Sequence, residues 1–157
     1  MALTVTNVTV DGVKVGLRAG ATIEALGPDV VPRSGDEVID GGGATLLPGL
    51  VNGHTHAAMT LFRSFGDDLP LMTWLQTRIW PAEGRLQADD VYWGTRLACL
   101  EMIRSGTTKL FDMYWHAPEA ARAVEDAGLR GVICSPLIDQ GDAAGLGALK
   151  DDALESL

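Results

Sequence analysis

The chain has 157 residues, with 12 Lys and Arg against 21 Asp and Glu, a formal charge of −9. That length fits one ordinary domain, or a small one plus part of another, and 46% apolar with 21% charged residues is a globular composition rather than a disordered one. Net negative charge opposes phosphate-backbone binding, which needs clustered Lys and Arg, so nucleic acid is set aside as a partner.

The first 45 residues read as β structure. Apolar side chains alternate at Leu3 and Val5 and again at Val8 and Val10, with a slip of phase at Asn7 that predicts a bulge. Asp11-Gly12 predicts a tight hairpin turn, because both residues tolerate positive φ. Val13, Val15 and Leu17 then share one face. A third strand takes Ala21, Ile23 and Ala25 and ends at Gly27-Pro28, and Val38-Ile39 makes a brief fourth before the run Asp40-Gly41-Gly42-Gly43.

From about residue 45 the rhythm becomes strand then helix. Thr45 to Asn52 is an apolar strand that Pro48-Gly49 interrupts. Residues 57–70 read as a long loop. Thr73-Trp74-Leu75-Gln76 fits a capping box, which predicts a short helix starting there and ended by Pro81. Asp89-Asp90 suit the first turn of the next helix, where negative charge meets the positive end of the dipole. Val91, Thr95, Ala98 and Met102 fall on one face of that helix, and Leu97 and Leu100 on the other, which predicts burial from two directions. Gly106 suits its exit. A strand over 107–112, a helix opened by Pro118 and closed by Gly128, and a strand over 130–135 complete the pattern. Strands separated by helices of this length predict βαβ units and a parallel sheet.

Met1-Ala2-Leu3-Thr4-Val5 carries no basic leader, and no apolar run approaches the roughly 18 residues of a membrane span. Cys99 and Cys134 lack a C-x-x-C spacing, so a disulfide framework is not expected. The expectation is a soluble cytoplasmic protein with neither a nucleic-acid nor a membrane partner.

The chemically informative pair is His54 and His56. Residues i and i+2 of a strand project to one face, so two imidazoles at that spacing can share one metal ion. The pair follows an apolar strand directly, at the edge where α/β barrels keep their active sites. Two surface histidines in a loop are the competing reading. A catalytic zinc usually takes three protein ligands plus a water, and the only other histidine is His116, in a strand-to-helix loop. Two histidines do not discriminate zinc from iron or manganese.

The run Pro48-Gly49-Leu50-Val51-Asn52-Gly53-His54-Thr55-His56 resembles the first metal motif of the amidohydrolase superfamily. Ala57 to Leu61, Asp67-Asp68-Leu69-Pro70-Leu71, Trp74-Leu75, Ile79 to Glu83, Asp90 to Gly94 and Ser105-Gly106-Thr107-Thr108 are similar to one subgroup, the 5′-methylthioadenosine/S-adenosylhomocysteine deaminases and the related triazine hydrolases. The resemblance spans most of residues 38–138. It implies a (β/α)8 barrel with a small β-sandwich, so that residues 1–45 are the N-terminal part of the sandwich and 46–157 the first βα units of an incomplete barrel.

The resemblance also implies one divalent metal, zinc in most of the family, with His54 and His56 as two of its ligands. The remaining metal and acid–base residues have no counterpart in this sequence. The implied reaction is hydrolytic deamination of a small purine-nucleoside-like substrate. Glu83 matches the position that binds ribose hydroxyls; by pattern alone it is a solvated residue after a proline-terminated helix. Trp74 matches a pocket residue that stacks on the substrate, and equally fits a core tryptophan. Asp112 is expected to serve structural hydrogen bonding, His116 a loop or helix cap, and Cys99 and Cys134 apolar packing.

A barrel of this kind needs about 250 residues, so the chain alone is expected to be aggregation-prone and inactive. Residues 153–157 read as helix or loop. Three readings follow: an adenosine-type deaminase fragment, a triazine chloro- or aminohydrolase on the same scaffold, and a non-catalytic remnant or half of a split protein that needs a complementing chain.

Overall fold

The computed structural model describes residues 1–138, so the segment 153–157 lies outside the described residues. The chain divides into two compact units, Met1–Pro48 and Gly49–Leu157.

The first unit is a four-stranded sheet of β1 (Leu3–Val10), β2 (Val13–Ala19), β3 (Ile23–Gly27) and β4 (Glu37–Asp40), in the order β3-β2-β1-β4. β1 and β2 are antiparallel, and Asp11 and Gly12 both take positive φ, 49° and 78°, in the turn that pairs Val10 with Val13. The register slips between Val5 and Val8, and Asn7 sits at φ 53° in the bulge, as the break in alternation predicts. β4 runs parallel to β1. Asp36 is the polar hub. It accepts two bonds from the Arg18 guanidinium at 2.8 Å each, one from the Thr4 hydroxyl at 2.7 Å and one from the Arg33 N–H at 3.0 Å. Those donors hold its carboxyl well below the usual carboxylate range. Arg18 also pairs with Glu24.

Among the described residues, the second unit holds three parallel strands, β5 (Leu50–Thr55), β6 (Thr107–Met113) and β7 (Arg130–Cys134), in that order. Between β5 and β6 run a 3₁₀ turn (Ala57–Phe62), a helical stretch of α1 (Leu71–Trp74), a π turn (Leu75–Ile79) and α2 (Trp80–Glu83), and then α3 (Ala88–Arg104). α4 (Ala117–Asp126) joins β6 to β7. The core lies between strands and helices: Leu110 on β6 packs with Ala57, Ala98, Cys99, Met102 and Val124. A second cluster joins Ala58, Val91, Tyr114 and Ala120.

Several expectations are corrected here. The strand begins at Leu50 rather than Thr45, because Pro48 has no N–H to donate and Gly49 lies against Thr108, where a Cβ would stand 2.2 Å from Cγ2. It continues through His54. The loop over 57–70 contains the 3₁₀ turn, tied by the Thr60 hydroxyl to the Gly94 carbonyl at 2.7 Å. The helix starts at Leu71, not Thr73, with no side-chain cap at Pro70. Thr73 is interior, and its carbonyl accepts the Thr77 hydroxyl at 2.7 Å. Pro81 does not stop the helix. A π turn precedes it, in which the Trp80 N–H reaches the Leu75 carbonyl, and Pro81 then occupies the first turn of α2, where no donor is needed. α3 buries only one face, as Val91, Thr95, Ala98 and Met102 are covered while Leu97 and Leu100 stay exposed.

Candidate active site

β5 and β6 are parallel, so the His-x-His run and the end of β6 share one carboxyl edge of the sheet. Three steps along β5, from Asn52 to Thr55, oppose two along β6, from Leu110 to Asp112. The extra residue is a bulge centred on Gly53 and His54, and bulges re-aim side chains beside active sites. The Asn52 side chain accepts the His54 N–H at 3.3 Å within it.

The two imidazoles lie 5.2 Å apart, centroid to centroid, nearly edge to face at 78°. His54 is exposed and His56 half-buried. His56 Nδ1 sits 2.7 Å from the Met113 carbonyl oxygen. A carbonyl only accepts, so Nδ1 carries a proton, and Nε2 is the ring nitrogen left to take a ligand. That arrangement fixes both the orientation and the tautomer of the ring, as outer partners do for metal-binding histidines. Two rings bound to one tetrahedral ion at about 2.1 Å through one nitrogen each have centres about 5 Å apart, so the pair fits a shared ion. Among the described residues no group of three or more His, Cys, Asp and Glu gathers to complete a metal site.

Asp112 is fully buried. Its Oδ1 accepts the Ala57 N–H at 2.7 Å, and its Oδ2 has no partner. Burial pushes this carboxyl up, against the opposing pull of the Ala57 N–H and of His56.

Glu83, at the end of α2, is half-buried. Its Oε1 accepts the Tyr114 hydroxyl at 2.8 Å and its Oε2 the Trp115 indole N–H at 3.3 Å. Burial and the adjacent carboxylate push the Tyr114 phenol up. The Tyr114 ring in turn lies 6.4 Å from His56, centroid to centroid. The structure thus brings His54, His56 and Glu83 to one neighbourhood through the segment that follows β6. Trp74 is placed elsewhere, with its indole N–H on the Phe65 carbonyl at 2.8 Å and its ring lining a cleft of the 62–69 loop with Phe62 and Leu69. His116 is the residue before α4, exposed and in the left-handed region at φ 51°. Cys99 is buried, with its thiol pushed up by burial, and Cys134 is half-buried with its thiol 3.4 Å from the Asp112 carbonyl.

Tyr114 and Trp115 are the residues that sequence reasoning passed over. Their signal was position alone: two large side chains with polar tips directly beyond a strand, at the edge that already held the histidines.

Comparison with known proteins joins these observations. A 5′-deoxyadenosine deaminase of Methanoregula boonei is 51% identical over 148 residues, 90% of this chain and 33% of that protein. A 5-methylthioadenosine/S-adenosylhomocysteine deaminase of Moorella thermoacetica is 58% identical over 109 residues, 69% of this chain and 26% of that protein. The chain therefore spans about a third or less of the length of these curated relatives. Among solved structures, an adenosine deaminase from Xanthomonas campestris with bound zinc superimposes with a TM-score of 0.74 at 34% identity, over 83% of this chain and 32% of that one. The amidohydrolase family model matches residues 45–156, which include the histidine pair, Glu83 and all three parallel strands. By that match the chain belongs to the amidohydrolase family.

Proposed function

We propose that the protein is a metal-dependent hydrolytic deaminase of adenosine-type compounds, 5′-methylthioadenosine and S-adenosylhomocysteine among them. The observation that carries the reading is the Nδ1–Met113 bond, which presents His56 Nε2 as a ready metal donor beside His54. The names of the relatives at 51% and 58% identity favour an adenosine ring over a triazine. On this reading residues 1–45 are the N-terminal part of a β-sandwich and 46–157 are the first units of a (β/α)8 barrel.

His54 and His56 are the residues that hold a divalent ion, zinc by preference. When bound, such an ion supplies Lewis-acid activation of water near neutral pH. The overall change breaks the bond between the ring carbon and its amino nitrogen, forms a bond from that carbon to water oxygen, and releases ammonia. Glu83 serves substrate binding. A carboxylate accepts from two vicinal hydroxyls at once, and Tyr114 and Trp115 hold it in place for a ribose. Trp74, whose ring lines the separate cleft of the 62–69 loop, is assigned to stack on the base or pack against the thioether side of a substrate that extends to that cleft. Among the described residues no third His, Cys, Asp or Glu gathers with His54 and His56, so turnover is expected only where the further ligands and an acid–base group are supplied.

The test is ammonia release from a panel of 5′-methylthioadenosine, S-adenosylhomocysteine, 5′-deoxyadenosine and an aminotriazine. The assay uses the metal-loaded protein, supplemented where needed with a barrel-completing chain. Turnover of the nucleosides, abolished by His56→Ala and raised in KM by Glu83→Gln, is the expected result. Turnover of the triazine alone, or activity indifferent to His56→Ala, overturns the reading.

A further inference from the structure

Two consecutive residues of β6 grip the end of β5. The Met113 carbonyl takes the His56 ring N–H at 2.7 Å, and Asp112 Oδ1 takes the next backbone N–H, that of Ala57, also at 2.7 Å. Ala57 opens the 3₁₀ turn, and its leading residue, His56, makes no side-chain cap. It cannot cap the turn through Nδ1, because that atom is committed to Met113. Asp112 caps the turn in its place, across 55 residues of sequence.

We propose that Asp112 is a positioning residue for His56: its buried carboxylate fixes the peptide that follows the ligand, as Met113 fixes the ring. The His56 ring and the Ala57 N–H that directly follows it are bonded to two consecutive residues of one strand, Met113 and Asp112. The two bonds are therefore coupled, and loss of the Ala57 bond loosens that of the His56 ring. A side chain used only for packing has no need of a carboxylate in a fully buried position with one oxygen unpartnered. An acceptor aimed at Ala57 does. The role is distinct from the ligand role of His56, although it rests on the reading that His54 and His56 hold a metal.

The experiment compares wild type, Asp112→Ala, Asp112→Asn and His56→Ala. Two quantities are measured: zinc affinity by competition with a chromophoric chelator, and His56 ring ¹⁵N shifts in the metal-free protein. Asn keeps an oxygen acceptor for Ala57, and Ala does not. Expected are a ten- to hundredfold loss of zinc affinity in Asp112→Ala, the range for outer partners of metal ligands, and affinity within about threefold of wild type in Asp112→Asn. The ¹⁵N shifts are expected to report a protonated Nδ1 in wild type and Asp112→Asn and mixed tautomers in Asp112→Ala.

Wild-type affinity in Asp112→Ala overturns the proposal, as does an Asp112→Asn protein as weak as the Ala variant. If Asp112→Ala does not fold, the Asn variant decides: a lost Nδ1–H signature there overturns the proposal, and a retained one with near-wild-type affinity supports it. Zinc affinity unchanged in His56→Ala sinks the metal reading itself, whereas affinity lost in His56→Ala but kept in Asp112→Ala sinks only the positioning role.

Discussion

Replacing Tyr114 by Phe removes one hydroxyl from an otherwise buried ring and leaves Glu83 Oε1 without its protein donor. A hydrogen bond to a charged acceptor contributes about 1.5–3 kcal/mol. Glu83 is half-buried and keeps the Trp115 N–H on Oε2, so water replaces part of the loss and the low end applies, about 1.5 kcal/mol at pH 8. The pH dependence separates this from simple packing damage. The Tyr114 phenol is raised in the folded protein, so its neutral form favours folding below the unfolded tyrosine value near 10, and that contribution is lost as pH rises above it. One tyrosine that ionises only when unfolded removes about 1 kcal/mol of stability between pH 10 and 11. The Phe variant lacks this loss and the roughly 0.4 kcal/mol that precedes it between pH 8 and 10, so its deficit of about 1.5 kcal/mol falls to about 0.1 kcal/mol by pH 11. Tyr92, also raised through its bond to Asp126, remains in both proteins and cancels. Urea unfolding at pH 8, 10 and 11 measures the gap. A gap that is absent at pH 8, or that stays constant to pH 11, refutes the assigned Tyr114–Glu83 bond.

Three further outcomes follow from particular contacts. Asp36 is held low by Arg18, Arg33 and Thr4, so the stability it contributes is present above the unfolded carboxyl value near 3.9 and is lost as pH falls through and below it; Asp36→Asn is expected to be less stable at pH 6 and to show a flatter acid limb between pH 5 and 2 in urea titrations. Gly94→Ala places a Cβ 2.8 Å from the Ala58 carbonyl oxygen and 3.0 Å from Leu61 Cγ, so it pushes the 3₁₀ turn away from α3; a loss of about 1–3 kcal/mol is expected from chemical denaturation, and no loss refutes the close approach. Zinc at 100 times its dissociation constant is expected to stabilise the native state by about 2.7 kcal/mol, read as a rise in thermal midpoint that EDTA reverses and that His54→Ala and His56→Ala abolish.

What the sequence disclosed was local. The Asn7 bulge, the Asp11-Gly12 turn, the Gly106 and Gly128 exits and the alternation of strands and helices each depend on a few adjacent residues, and each appears where expected. The errors came from single local signals read without the neighbouring turn or the packing around them. Thr73-x-x-Gln76 has the spacing of a capping box, but Leu71 and Met72 already belong to the helix, so Thr73 has no free end to cap. Pro81 reads as a stop only if the preceding turn is α; a π turn shifts the register and puts it where a first-turn proline belongs. Leu97 and Leu100 are apolar, yet pattern alone does not tell which apolar face a neighbour covers.

The site shows the same division at higher stakes. His54 and His56 were legible because their spacing is two and the strand period is two. What surrounds that pair was less legible, because apart from the local Asn52–His54 bond the bonds near it cross the chain: His56 to Met113, Ala57 to Asp112, and Glu83 to Tyr114 and Trp115. All of those partners fall in four consecutive residues, 112–115. The strand alternation of β6 aims Asp112 into the core while the chain beyond Met113 turns Tyr114 and Trp115 toward α2. One short segment is thereby bonded to the histidine pair and to Glu83 alike. A shift of that segment moves both together, so substitutions at Asp112 and at Tyr114 are expected to be non-additive in their effects on zinc affinity, whereas two independent supports give additive ones.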